Sequence, residues 1–234
     1  MRKLIILIIS IVMTLAGTAL IGVYDYNVWY NPTGKNATQL TSDYKAYLIE
    51  KTVEIDKSML YNSTCNRDSG EIVFTNNEGE EALKMELNGP SLAIGDLAKV
   101  ANAHKDIYMA CPKFNNIIHN ASSEVVAVSR LGKTMKPLLD DFAQICGPTV
   151  KCAKAPEYAA KKIKGKNAVL IKDMGALCCG ANEGDAQAVD MIMSKSGLTL
   201  LTSKVFGKSK AINPAEAWLM RIVYTLKYSK QAEK

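Results

Sequence analysis

From Leu4 to Val23 the chain carries no charged residue, and Arg2 and Lys3 stand in front of this apolar run. A helix over that run, at 1.5 Å per residue, is roughly 30 Å long, the depth of a bilayer's hydrocarbon core. Tyr24, Tyr26, Trp29 and Tyr30 follow at once, as an interfacial aromatic belt would. The basic pair favours an N-terminus inside, so the rest of the chain is expected outside the cytoplasm. A cleaved signal peptide, with Gly17 and Ala19 as small residues for the peptidase, is the alternative and leaves a secreted domain.

Beyond the polar stretch 31–42, which suits a tether, apolar positions recur at helical spacing from Asp43 to about Leu60. "EIVFT" (71–75) reads as a strand after the turn "RDSG", with "EALKMEL" (81–87) as its partner. Leu97, Val100, Ala101, His104 and Tyr108 form one stripe of a helix over 96–110. "NNIIH" is a short strand, and Ser122 is placed to cap a helix that stops at Gly132. Two strand segments follow around 167–180, then a helix over 184–206. Asn213 as N-cap, Pro214 in the first helical position and Glu216 as a capping-box partner start a last helix, striped by Trp218, Ile222 and Leu226. Strands and helices mixed in this order predict one layered α/β domain. The organisation expected is a signal anchor over 1–23, aromatic belt and linker over 24–42, the domain over 43–207, and an amphipathic helix packed on it within 208–234.

Composition adds little. The chain has 234 residues, 48% hydrophobic and 22% charged, and a net charge of +6, two of which come from Arg2 and Lys3. Its densest basic run, "KKIKGK" (161–166), lacks interleaved aromatics, so nucleic acid is not an expected partner. Cys65, Cys111, Cys146, Cys152, Cys178 and Cys179 show no paired zinc-site spacing. In an oxidising compartment Cys146 and Cys152 could close a small loop; as small buried hydrophobes, the six need no bridge. Adjacent Cys178 and Cys179, in a strand, should face opposite sides. Asn36, Asn62 and Asn120 begin formal glycosylation sequons.

Three segments, in order, resemble the class II aldolase/adducin head domain: "AHKDIYMACPKFNNIIHNASS", "MKPLLDDFAQICG" (135–147) and "NAVLIKDMGALCCGANEGDAQAVDMIMSK" (167–195). More loosely, "NSTCNRDSGEIVFTNNEG" (62–79) is similar to the family's phosphate loops. The resemblance covers roughly 43–207. It implies a three-layer domain, a central and mainly antiparallel sheet flanked by helices, often assembled into tetramers, so a homo-oligomer is an expected partner state. It also implies a divalent metal held by a His-x-His pair and the histidine of Asn-His-Gly, with an upstream glutamate for acid/base work. Here His119 matches the first histidine, while Ala121 and Met174 stand at the other two positions and Val100 at the glutamate. His104 matches a helical histidine that is not a family ligand.

Catalytic zinc takes three protein ligands and leaves one position open. Even changes behind the ligands cost roughly 10–100-fold in affinity, and a thioether is a soft donor unsuited to hard, water-activating chemistry. The sequence therefore points to a membrane-anchored, catalytically inactive relative without a cofactor, a binding or assembly module whose ligand is unknown. The alternative is a metal-dependent sugar-phosphate aldolase or epimerase with a rebuilt site. In it His119 would work with Asp173 or Glu124, with Asp106 also nearby in sequence, and zinc or another divalent ion would be the cofactor.

Overall fold

The computed structural model describes residues 33–52, 60–92, 95–207 and 209–227. The apolar run Leu4–Val23 and the aromatic belt lie outside them, and among the described residues no helix is long and apolar enough to cross a membrane.

Helix α1 (Ala37–Lys51) begins inside the stretch expected to be linker. The cause is local: Asn36 Oδ1 accepts from the Gln39 amide at 2.9 Å while Gln39 Oε1 accepts from the Asn36 amide at 2.9 Å, a reciprocal cap that a polar composition conceals. Helix α1 stops at Lys51, well before Leu60.

The strands are β1 (Asn62–Asn66), β2 (Glu71–Thr75), β3 (Glu81–Glu86), β4 (Asn116–Asn120), β5 (Cys152–Ala153), β6 (Ala168–Ile171) and β7 (Gly175–Gly180). They form one sheet in the order β3-β2-β1-β4-β7-β6-β5, antiparallel except for the β5–β6 pair. The expected mainly antiparallel sheet between helices is thus present. Strand β1 was missed as a strand because "NSTCN" is polar and small, with only alternate residues Ser63 and Cys65 buried.

Two cores lie on the two faces. Helix α2 (Asp96–Ala110) covers one, packing Ala101, Ile107 and Tyr108 against Ile117, Leu177 and Cys179. On the other, α3 (Ser123–Arg130), the π-helical turn Phe142–Cys146 and α5 (Glu183–Val205) enclose Leu170, Ala176 and Cys178. Cys178 and Cys179 do face opposite sides, as the period-two geometry of a strand requires. The short α4 (Ala159–Ile163) adds Ile163 to the first core.

Three local expectations change. All six cysteines are free: Cys146 Sγ lies 3.9 Å from the Val189 carbonyl and Cys152 Sγ 3.5 Å from that of Ser129, so no loop is closed between them. Ser122 precedes α3, but its hydroxyl donates to Asn120 Oδ1 at 2.8 Å and caps nothing. On α6 (Pro214–Lys227) Asn213 Oδ1 does receive the Ala215 amide at 2.9 Å, yet the helix docks through buried Ala217 and Arg221. The stripe Trp218, Ile222 and Leu226 faces outward. The π-helical turn supplies the reason, since its carbonyls at Gln144 and Ile145 accept from Arg221 Nη1 at 2.5 and 2.9 Å. A guanidinium can satisfy such buried acceptors where an apolar side chain would orphan them.

Candidate functional site

Antiparallel pairing of β4 with β7 sets His119 opposite Leu177 and Asn120 opposite Ala176. The end of β4 therefore lies beside the β6–β7 turn, where Asp173 takes φ 62° and Gly175 φ 96°. A Cβ on Gly175 would lie 2.1 Å from the Asn120 carbonyl oxygen, so only glycine lets the turn approach β4 this closely. Ser129 Oγ on α3 receives the Gly175 amide at 3.2 Å and holds the turn from the other face.

His119 is 5% exposed. Its main-chain amide donates to Asn62 Oδ1 at 3.1 Å, and its Nε2 lies 2.8 Å from the Met174 carbonyl oxygen. A carbonyl can only accept, so Nε2 carries the proton and the ring's lone pair lies on the buried Nδ1.

Above His119, on the same face of the sheet, stands α2. Val100 and His104 are both fully buried on it, and Phe74 lies 5.5 Å from the His104 ring. Ser63 Oγ is 2.8 Å from His104 Nδ1 and 2.8 Å from the Tyr108 hydroxyl, which also donates to the Ser63 carbonyl at 2.8 Å. With the proton on Nδ1 a chain runs from His104 through Ser63 to Tyr108 and back to the Ser63 carbonyl, leaving no buried donor unsatisfied. His104 Nε2, which then needs no proton, has no hydrogen-bond partner among the described residues. Burial, reinforced by the charge of His119, depresses the His104 pKa from 6.5 to about 3, so the ring is neutral at ordinary pH. The helical stripe made His104 legible as a core residue; nothing local in "NSTCN" announces Ser63 as its partner.

Of the other candidates, Asp173 adjoins Met174 in the β6–β7 turn, while Glu124 and Asp106 lie on helices. Glu124, in the first turn of α3, accepts from the Tyr44 hydroxyl of α1 at 3.2 Å. The charge of Asp173 acts on Cys152, whose thiol is pushed up to about 11, chiefly by burial. Asp106 is partly buried on α2, and burial raises its pKa. Met174 is half-buried against the first core and Ala121 is half-buried beyond β4. Among the described residues no three His, Cys, Asp or Glu side chains converge to hold a metal ion. One imidazole, with Nδ1 as its donor, falls short of the three protein ligands that such a metal takes, so the donors present do not fit the family's divalent metal.

Within residues 62–79, Arg67 fixes the chain after β1. Arg67 donates through Nε to Asn115 Oδ1 at 3.1 Å, and through Nη2 to the carbonyls of Tyr108 and Phe114 at 3.1 and 2.6 Å. It ties β1 to the end of α2. The neighbouring hollow of about 720 Å³ is lined by Ser69, Lys84 and the carboxylates Glu71 and Glu86, which repel a phosphate. Asn120, the third sequon residue, is 5% exposed and donates to the Asp190 carbonyl at 3.1 Å and to Ser194 Oγ at 2.8 Å. In the folded chain it is closed to glycosylation.

A helix-flanked, mainly antiparallel sheet with a histidine near one strand end, beside a glycine turn, defines a layered α/β protein. The Class II Aldolase and Adducin N-terminal domain matches residues 69–194, over half of the chain, and the chain belongs to that family. Solved structures agree on the fold. An L-fuculose 1-phosphate aldolase superposes with a TM-score of 0.62 at 18% identity, over 82% of this chain and 98% of that one. YgbL from Klebsiella pneumoniae, a putative aldolase/epimerase/decarboxylase, gives 0.59 at 16% identity, over 80% and 100%. YgbL from Escherichia coli gives 0.57 at 15%, over 79% and 96%. No curated protein matches the chain in sequence.

Proposed function

We propose that this chain is a catalytically inactive class II aldolase-like protein, held at a membrane by its N-terminal apolar run, whose folded domain serves as a binding or assembly module. The reading places the N-terminus inside and the domain outside the cytoplasm, or secretes the domain if the run is cleaved. A homo-oligomer is the assembly it favours.

The observation that carries it is the donor set at the end of β4, a single imidazole braced through Nε2 on the Met174 carbonyl at 2.8 Å, with one ring nitrogen, Nδ1, to offer where such a metal takes three protein ligands. Where the family places two further imidazoles and a carboxylate, this chain has a methyl group, a thioether and a buried isopropyl group at Ala121, Met174 and Val100. Protein, not substrate, fills the space above His119. A rebuilt aldolase or epimerase site would need Asp173 or Glu124 beside that histidine, and Glu124 accepts from the Tyr44 hydroxyl of α1.

Metal analysis of the purified full chain, loaded with zinc, manganese or cobalt and then desalted, tests the proposal. The expected result is a divalent ion content far below one per chain, unchanged in His119→Ala. A stoichiometric ion that disappears in His119→Ala would overturn it.

A further inference from the structure

Helix α6 turns a nearly continuous apolar face outward. Trp218 is 54% exposed, Leu219 61%, Ile222 49%, Val223 47% and Leu226 65%. Together they offer on the order of 500 Å² of apolar surface, a size that marks an interaction site on a folded domain. The face is outward by construction, because Arg221 must point in to reach the carbonyls of Gln144 and Ile145 and the Asn167 side chain.

Charge and chain path say what covers it. Lys204, Lys208 and Lys210 precede the helix in sequence and Lys227 and Lys230 follow the patch, while Glu216 is the one acidic residue from 204 to 230. An apolar helix face flanked by lysines is the pattern of a helix lying in a lipid headgroup layer. Thr33, the first described residue after the N-terminal run, sits beside Gly207: its Cγ2 is 3.7 Å from where a Gly207 Cβ would be. The described chain thus begins beside Gly207, seven residues in sequence ahead of the start of α6 at Pro214. Residues 24–32 between Val23 and Thr33 span roughly 30 Å at most. A tether of that reach keeps α6 at high effective concentration near the surface, so a modest apolar face suffices. A second copy is less well matched, because a specific protein interface buries about 800 Å² on each side.

We propose that the exposed face of α6, from Trp218 to Leu226, lies in the headgroup region of an anionic phospholipid membrane and fixes the domain's orientation on it. This rests on the membrane-tethered reading above. The apolar face would enter the layer while the lysines meet lipid phosphates, with the β3 edge of the sheet left free.

The chain has two tryptophans, Trp29 and Trp218, so Trp29→Phe leaves Trp218 as sole reporter. The full-length variant is reconstituted into phosphatidylcholine–phosphatidylglycerol vesicles, floated on a gradient, and measured with lipids brominated near the carbonyl end of the acyl chain. Blue-shifted Trp218 emission, quenched roughly two-fold or more by the brominated lipid, is expected for a residue at that depth. Ile222→Glu combined with Val223→Glu, both on the exposed face, should abolish the quenching and leave flotation intact. Flotation with Trp218 emission insensitive to brominated lipid would overturn the proposal alone. That holds whether the emission is solvent-like or blue-shifted with protein concentration, as a second copy on the face would make it. Failure of the full chain to float would overturn the tether and, with it, the proposal.

Discussion

His119 Nε2 and the main-chain oxygen of Met174 are 2.8 Å apart, joined across 55 residues of sequence. Met174 meets the histidine through its backbone carbonyl. The contact closes the β6–β7 turn against β4, so the surviving histidine acts as a brace between two strands.

Removing that brace should weaken the fold. His119→Ala leaves a buried carbonyl unsatisfied and a void beside it, and a loss of about 2–3 kcal/mol in urea unfolding is expected. A change below about 0.5 kcal/mol would show that the imidazole is not structural.

Placing a carboxylate on α2 at position 100 should also weaken the fold. Val100→Glu puts an ionisable group at a fully buried position one helical turn before His104. An unpaired buried carboxylate costs several kcal/mol, so the variant is expected to unfold at much lower urea or to fold only as the neutral acid. Wild-type stability at pH 7 would indicate that water reaches the old site.

Gly175→Ala is the most damaging small change expected. Its Cβ would meet the Asn120 oxygen at 2.1 Å in a backbone with φ 96°. Strain and steric displacement together should exceed about 3 kcal/mol, read as loss of soluble protein or of the near-ultraviolet dichroism signal.

His104 predicts a pH dependence. Its folded pKa, about 3, is below the ordinary 6.5, so between those values the unfolded chain binds the proton and the folded chain does not. Stability from this group is therefore complete above pH 6.5 and falls with acid by up to about 1.4 kcal/mol per pH unit until pH 3. In His104→Gln this part of the acid limb should be absent from urea midpoints taken from pH 7 to pH 4.

The thiols should be quiet. Burial raises Cys146, Cys178 and Cys179 well above an ordinary thiol, and Cys152 to about 11. Native protein is expected to alkylate slowly at neutral pH, and denatured, unreduced protein to yield all six thiols by mass. Fewer than six would reveal a bridge.

Much of this architecture is written locally. "EIVFT" alternates buried and half-buried residues and is β2 over the stretch expected, Glu71–Thr75. The stripe Val100, Ala101, His104 and Tyr108 is buried as its spacing requires, and Asn213 caps the helix that Pro214 begins.

Other features had no local sign. Sequence placed His119 at a strand end and allowed a metal, a base or a remnant; only the approach of β4 to the β6–β7 turn, permitted by Gly175, decided that its Nε2 meets a carbonyl. Periodicity on α6 located an apolar stripe and wrongly implied that the stripe faces the core. The orphan carbonyls of the π-helical turn, in a distant segment, draw Arg221 inward and rotate the stripe out. A sequence fixes what each residue can satisfy, through shape, charge and hydrogen-bonding capacity. Which of those demands are met depends on partners that only the assembled fold brings within 3 Å or so, and there two carbonyls outweighed five apolar side chains.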